Sequence, residues 1–275
     1  MIPKGITDKY EVVKTLQKKA ATAVLLVRHK RIGDLRILKV IPETDPDSQR
    51  ILSEANLIAG IKSSQIPTIF DIGQTDGCYY FTEEYFSGET LEEYLIREQT
   101  ISKEELLRII IKLCDVIDTI HNSGKETILY RDIKPEHIIL QDEKICLIDF
   151  SIAVKKSESG IACNYGTKSY AAPEQLEGLT LDERCDVYGI GKILEKLILH
   201  CESNDLMRVK LIAKRATDKN KENRHNDVRL LKAELQSLQN VKNDEKNLFD
   251  FIEINSKINP PIIIGILNKK LYSAD

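Results

Sequence analysis

The chain has 275 residues, of which 42% are hydrophobic and 30% charged, with a formal net charge of −3. That composition is too apolar for general disorder and too near neutral for a surface built wholly around nucleic acid. Apolar runs such as Ile262–Ile264 fall far short of the roughly 20 residues that cross a bilayer.

Residues 10–42 read as three strands, YEVVKTL, AVLLVRH and LRILKVI, with turns at Lys18–Lys19 and Arg31–Asp34. Residues 48–61 place Ile51, Leu52, Ala55, Ile58 and Ala59 at helical spacing. Two strands around a Thr75-Asp76-Gly77 turn follow, running to Phe86. Beyond Gly88 the pattern becomes helical: ETLEEYLIRE, then a long helix in KEELLRIIIKLCDVIDTIHNSG that should stop at Gly124. A short strand pair near 138–148 and an irregular stretch to about 174 come next. Helical patterns resume at 186–200, 205–216 and 227–240, the last with Val228, Leu231, Leu235 and Leu238 on one stripe. The expected layout is α+β and bilobal: a small β-rich lobe over 1–85, a larger helical lobe over 86–240, and a tail over 241–275 to which the pattern assigns no role.

The opening MIPKGITDKYEVV lacks the continuous apolar core of a signal peptide, so a soluble cytoplasmic protein with no membrane association is expected. The six cysteines, Cys78, Cys114, Cys146, Cys163, Cys185 and Cys201, are scattered without a C-x-x-C pair. They read as reduced thiols rather than zinc ligands or disulfides, with Cys163, in a polar stretch, the one expected to be exposed.

The most informative segment is Tyr130-Arg131-Asp132-Ile133-Lys134-Pro135-Glu136-His137, followed a dozen residues later by Asp149-Phe150-Ser151. It resembles the catalytic loop and metal-binding motif of eukaryotic-type serine/threonine protein kinases, the bacterial ones in particular. The resemblance continues in order through Lys39 and Glu54, Gly166-Thr167, Ala172-Pro173-Glu174, Asp186 and Arg224, and covers about 230 of the 275 residues. It implies a protein-kinase-like fold and the use of ATP with magnesium, or with manganese.

Phosphoryl transfer is mostly positioning and charge neutralisation, and these residue types suit it. The resemblance gives Lys39, held by Glu54, the nucleotide phosphates, and Asp149 the metal, with His137 as a second candidate ligand. Asp132 would accept the proton of the attacking hydroxyl, and Lys134 would stabilise the phosphoryl group in transfer. Thr167, contacting both, marks a Ser/Thr-directed member. The implied nucleotide site comprises Gln17, Lys19, Val24, Ile37, Lys39, Glu84, Phe86 and Ile139. Arg131 would receive a phosphorylated activation segment, with Ser157 or Ser159 as the acceptor.

Several departures cluster at the nucleotide. Gln17, Lys19 and Thr22 occupy the three glycine positions of the phosphate-cradling loop, where a Cβ obstructs the approach of backbone amides. Ile37 stands where the family commonly has alanine above the adenine. His137 replaces an asparagine, and imidazole suits manganese better than magnesium; the alternative is that it is a hydrogen-bonding spacer. Ser151 replaces a glycine. Glu83 aligns with the gatekeeper before the hinge Glu84-Tyr85-Phe86, and a carboxylate there must be solvated or paired, conceivably with Lys39. Only 37 residues separate Asp186 from Arg224, too few for the family's additional substrate-docking helix.

Two functions follow. Survival of Lys39, Glu54, Asp132, Lys134, Asp149 and Thr167 together supports an active Ser/Thr kinase with weak nucleotide binding. The altered loop, Ile37, His137 and the absent helix support a pseudokinase that acts as a binding or scaffolding module. The activation-segment motifs argue against a small-molecule kinase. The expected partner is a protein. Nucleic acid is not expected: the nine Lys/Arg and three Asp/Glu of 208–232 read as a solvated helical face.

Overall fold

The computed structural model of the chain describes residues 3–19, 22–159 and 166–239; Cys163 and the tail over 241–275 lie outside them. A short helix, α1 (Lys4–Lys9), leads into strands β1 (Tyr10–Lys19), β2 (Thr22–His29) and β3 (Leu35–Pro42). Helix α2 (Ser48–Ala59), β4 (Ile69–Thr75) and β5 (Cys78–Glu84) complete the first lobe. Its five strands form one antiparallel sheet in the order β1-β2-β3-β5-β4.

Side chains of a strand alternate between the two faces of its sheet, and that alternation sorts this lobe. Leu38 and Val40 of β3 and Tyr80 of β5 pack with Ile6 and Tyr10 under α1. Their neighbours Ile41 of β3 and Phe81 of β5 pack with Ile51 and Ala55 of α2 on the opposite face. Lys39 and Glu83 share that second parity, so both are presented on the face that α2 covers. Strand β1 runs through Lys18 and Lys19, which pair with Ala23 and Thr22. The turn expected at those lysines is therefore not found there: both belong to the strand. Helix α1 carries one buried apolar residue, Ile6, too little for a periodic signal, and the sequence pattern missed it.

The sheet ends at Glu84, and the chain crosses to the second lobe before β6 (Glu89–Thr90). Gly88 is required at this crossing, because a Cβ there would sit 2.1 Å from the Leu140 carbonyl oxygen. Thr90 then caps α3 (Leu91–Glu98) through a capping box with Glu93, satisfying amides that the first helical turn leaves unpaired. Ser102 caps α4 (Lys103–His121) by accepting from the Glu105 amide at 3.1 Å. That helix ends at His121, before Gly124, with Asn122 at its C-cap.

Helix α4 runs through the large core: Ile109, Ile110, Leu113, Cys114, Val116, Ile117 and Ile120 are all buried. It packs against α6 (Arg184–Leu199) and α8 (Val228–Ser237), and α7 (Met207–Ala216) packs on both. The stripe Val228, Leu231, Leu235 and Leu238 lies in this core. Ile58, Ile61 and Ile66 from the first lobe belong to the same cluster, so one apolar core ties the lobes together. Between α6 and α7 the chain has only residues 200–206.

Short ladders frame the site. Strand β6 pairs with β8 (Ile138–Gln141), which pairs with β9 (Lys144–Leu147), while β7 (Ile128–Leu129) pairs with β10 (Val154–Lys155). A four-residue helix, α5 (Pro173–Leu176), begins at Pro173, where the missing N–H costs nothing. No helix among the described residues is long and apolar enough to cross a membrane.

Candidate active site

The catalytic loop lies between β7 and β8, held from below by one buried carboxylate. Asp186 Oδ2 accepts from the Tyr130 amide at 2.9 Å and Oδ1 from the Arg131 amide at 2.7 Å. His121 Nε2, at the end of α4, lies 2.8 Å from the same Oδ2. The Arg131 carbonyl accepts from Gln175 Nε2 at 3.0 Å. These bonds hold Arg131 at a φ of 72°, a left-handed conformation that a side-chain-bearing residue adopts only when its surroundings impose it. The next residue, Asp132, is thereby aimed into the space between the lobes.

Asp132 is bonded from two sides. Thr167 Oγ1 donates to its Oδ1 at 3.1 Å and Lys134 Nζ to its Oδ2 at 2.9 Å. Lys134 also reaches Thr167 Oγ1 at 3.4 Å, which closes a triangle of base, cation and activation-segment hydroxyl. His137 sits behind it, with Nδ1 at 3.2 Å from the Asp132 carbonyl oxygen and 3.3 Å from Oδ2. Both Nδ1 neighbours are acceptors, so the proton belongs on Nδ1. The Nε2 lone pair then faces Asp149 Oδ2 at 3.5 Å. Burial holds the His137 pKa below its ordinary 6.5, against the opposing pull of Asp149 and Asp132.

Asp149 follows β9 at a φ of 64°, its Oδ1 accepting from the Ser151 amide at 3.1 Å. Burial works against its charge, but Lys39 and His137 outweigh that and hold the carboxyl below the usual carboxylate range. Phe150 tucks under α2: its amide donates to Glu54 Oε1 at 3.2 Å, and its ring meets Tyr130 edge-on at 5.0 Å. The Tyr130 hydroxyl donates to the Ile148 carbonyl at 2.5 Å. Tyr130 therefore couples the Arg131–Asp132 loop to the Asp149–Phe150 turn, a role its place in the motif did not disclose.

Lys39 lies across the cleft, 7% exposed. Its Nζ is 2.5 Å from Glu54 Oε1, 3.3 Å from Glu83 Oε1 and 3.9 Å from Asp149 Oδ1. Burial disfavours the ammonium, but Glu54, Glu83 and Asp149 together overcome it and raise its pKa. Burial pushes the Glu83 carboxyl up to about 7 and raises that of Glu54, against the attraction of Lys39 in both cases. The second lobe carries its own buried pair. Arg224 grips Glu174 with bonds of 2.6 and 2.8 Å and also donates to the carbonyls of Arg184 and Asp218.

Residues 10–253 match the family described as protein kinase domain. The chain belongs to that family. A probable serine/threonine-protein kinase of Clostridium perfringens is 27% identical over 206 residues, covering 72% of this chain and 30% of that protein. The serine/threonine-protein kinase PknB of Mycolicibacterium smegmatis is 28% identical over 210 residues, 71% of this chain and 33% of its own. A probable serine/threonine-protein kinase of Dictyostelium discoideum, nek2, reaches 30% over 201 residues, 69% and 48%. This chain thus spans between about a third and a half of the length of these relatives. Membership of the protein kinase family implies ATP and a divalent metal, generally magnesium.

On this kinase domain the residues expected at the nucleotide lie in several places. Phe86, Ile139 and Cys146 form one buried apolar cluster with Ile148 against it, a surface suited to a flat base. Val24 pairs with Lys39 across the β2–β3 ladder and Ile37 with Leu26, so both lie on the strands that carry the lysine. Glu84 is turned elsewhere: its Oε2 accepts from the Thr68 amide at 3.3 Å. Gln17 opposes Val24, and Lys19 opposes Thr22, so the segment in place of a glycine loop is a laddered hairpin up to its tip.

A magnesium ion takes oxygen ligands, keeps several waters and needs only one or two protein carboxylates beside substrate phosphates. Asp149 fits that demand, with its charge preserved and Oδ2 turned toward the His137 lone pair. Among the described residues no group of three or more His, Cys, Asp and Glu side chains could hold an ion without such help. Of the two serines expected opposite Arg131, Ser159 is buried, its hydroxyl donating to the Leu181 carbonyl at 3.2 Å. That bond removes it as an acceptor, whereas Ser157 is exposed.

Proposed function

We propose that this chain is a serine/threonine protein kinase that moves the γ-phosphate of ATP to protein hydroxyls with an atypical, weak nucleotide site. The observation that carries the proposal is the closed triangle of Asp132, Lys134 and Thr167 beside a formed Lys39–Glu54 pair. Asp132 orients the attacking hydroxyl and takes its proton as the new oxygen–phosphorus bond forms. The bond from the γ-phosphorus to the β–γ bridging oxygen breaks, and ADP leaves with that electron pair. Lys134 neutralises charge on the group in transfer, and Lys39 holds the phosphates left behind. A divalent cation held by Asp149, with His137 as its second ligand, would neutralise the phosphate oxygens. An imidazole ligand shifts the preference of that site toward manganese.

A second reading, a pseudokinase that acts as a binding module, is favoured by the β1–β2 hairpin. There strand pairing continues through Lys19 and Thr22, which favours a closed hairpin over a phosphate cradle. The short connection between α6 and α7 supports docking of a protein substrate elsewhere on the kinase domain. Thermal shift with ATP and no metal, magnesium or manganese, on the native chain and Asp149→Asn, separates the readings. Metal-dependent stabilisation that the variant loses, followed by radiolabel transfer that Asp132→Asn abolishes, is the expected result. Absence of any shift in a folded protein would replace the kinase with the binding module.

A further inference from the structure

Lys39 has more carboxylate around it than one ion pair requires. Glu83 is 3% exposed, with one oxygen 3.3 Å from Lys39 Nζ and the other without a hydrogen-bond partner among the described residues. The two anchors of the lysine differ in mechanical origin. Glu54 rides on α2, whose N-cap residue, Asp47, makes no side-chain cap bond. Glu83 stands on β5, the strand directly paired with β3, in register opposite Ile37. The backbone ladder fixes the spacing of the residues that carry Lys39 and Glu83 whatever the position of α2.

We propose that Glu83 is a second positioning carboxylate for Lys39, which keeps the ammonium paired and in place when Glu54 is withdrawn. A buried ammonium with no close anion leaves its site or loses its proton; one carboxylate within ion-pair distance prevents that. Asp149, at 3.9 Å, is the most distant of the three and is the group assigned to the cation. Either glutamate alone therefore holds the lysine close, and removal of both leaves it only the longer contact with Asp149. The nucleotide consequences of this proposal rest on the kinase reading; the pairing itself does not.

The test is a double-mutant cycle on the full chain with Glu54→Gln, Glu83→Gln and the double variant, read as ATP KM, acceptor KM and kcat with casein as acceptor. A redundant pair predicts an ATP KM within about threefold of native for Glu83→Gln, within about tenfold for Glu54→Gln, and raised at least about a hundredfold in the double variant, with the acceptor KM unchanged. A double variant no worse than Glu54→Gln overturns the proposal. So does a Glu83→Gln variant that binds ATP more than about threefold tighter, which would make Glu83 a rival of the phosphates. Should the double variant fail to fold, Glu54→Gln with Glu83→Met replaces it: an ATP KM no higher than that of Glu54→Gln alone refutes the role. If the native chain neither binds nor turns over ATP, the kinase reading falls by itself and urea unfolding still decides Glu83. Glu83→Gln should then shift the midpoint by less than about 0.3 M with Glu54 present and lower it by more than about 1 M in the Glu54→Gln background. Equal shifts in both backgrounds would refute the shared lysine.

Discussion

Asp186→Asn is nearly isosteric and leaves the surface of the protein unchanged, so its effect isolates the support of the catalytic loop. The native carboxylate accepts three bonds: the Arg131 amide at 2.7 Å, the Tyr130 amide at 2.9 Å and His121 Nε2 at 2.8 Å. An asparagine has one acceptor oxygen. Its best orientation keeps the oxygen on the Tyr130 and His121 side and turns an N–H toward the Arg131 amide. The variant loses one charge-assisted bond, worth about 1.5–3 kcal/mol, and leaves a buried donor unpaired at a cost of about 1–3 kcal/mol. A loss of about 3 kcal/mol or more follows, roughly a hundredfold in the folding equilibrium or greater, a large share of the ~5–15 kcal/mol of a typical domain. The Arg131 φ of 72° is held by these same bonds, so the loop relaxes and Asp132 leaves its alignment with Lys134 and Thr167. Urea unfolding and ATP-dependent transfer, measured on the same preparation, should therefore fall together, transfer by about a hundredfold or more. A variant with stability within about 0.5 kcal/mol of native and turnover within about twofold would refute the argument that Asp186 sets this loop.

Three further outcomes are expected. Glycine at positions 17, 19 and 22 together should tighten ATP about tenfold by opening the hairpin to the phosphates, read as thermal shift against nucleotide concentration; an unchanged affinity would mean that the hairpin is not part of the site. Burial raises Glu83 from 4.5 to about 7, so between those pH values the folded chain holds a proton that the unfolded chain has released. Stability from this group therefore falls as pH rises through that window, and the urea midpoint of Glu83→Gln should lose that slope; parallel pH profiles would contradict it. Gly88→Ala should cost about 2 kcal/mol or more, measured by urea unfolding, because the added Cβ meets the rigid Leu140 carbonyl at 2.1 Å. A change below about 0.5 kcal/mol would show that the lobe crossing is not tightly packed.

The site was legible in the sequence wherever a charge had to be answered by another charge. Lys39 with Glu54, and Glu174 with Arg224, were implied by the resemblance to protein kinases, and the structure pairs both, since an unpaired buried ion is too costly to persist. Glu83 was legible for the same reason: a carboxylate on the inward parity of β5 needs a cation, and Lys39 is the one on that face of β3. Contacts made by hydroxyls and backbone were not. Nothing in the string marks Tyr130 as the donor to the Ile148 carbonyl, or Ser159 as bonded to Leu181 rather than free to react. The six residues of α1 were also hidden, since a single buried side chain has no period. Lys18 and Lys19 were expected in a turn because they are polar, but cross-strand pairing with Ala23 and Thr22 kept them in β1.

Helix α2 is fastened unevenly. Its C-terminal end is sunk in the large shared core through Ile58, while Ile51 and Ala55 rest on a smaller patch with Ile41 and Phe81. Such a helix is a lever with its fulcrum near Ile58. Glu54 lies four residues from that fulcrum, about 6 Å at a rise of 1.5 Å per residue. A tilt of about 10° would swing it by about 1 Å, enough to lengthen its 2.5 Å contact with Lys39 beyond the 3.3 Å contact made by Glu83. A small rotation would thus exchange which glutamate is nearer without ever leaving the lysine bare, and the switch point of the lobe would be a change of partner rather than a broken bond.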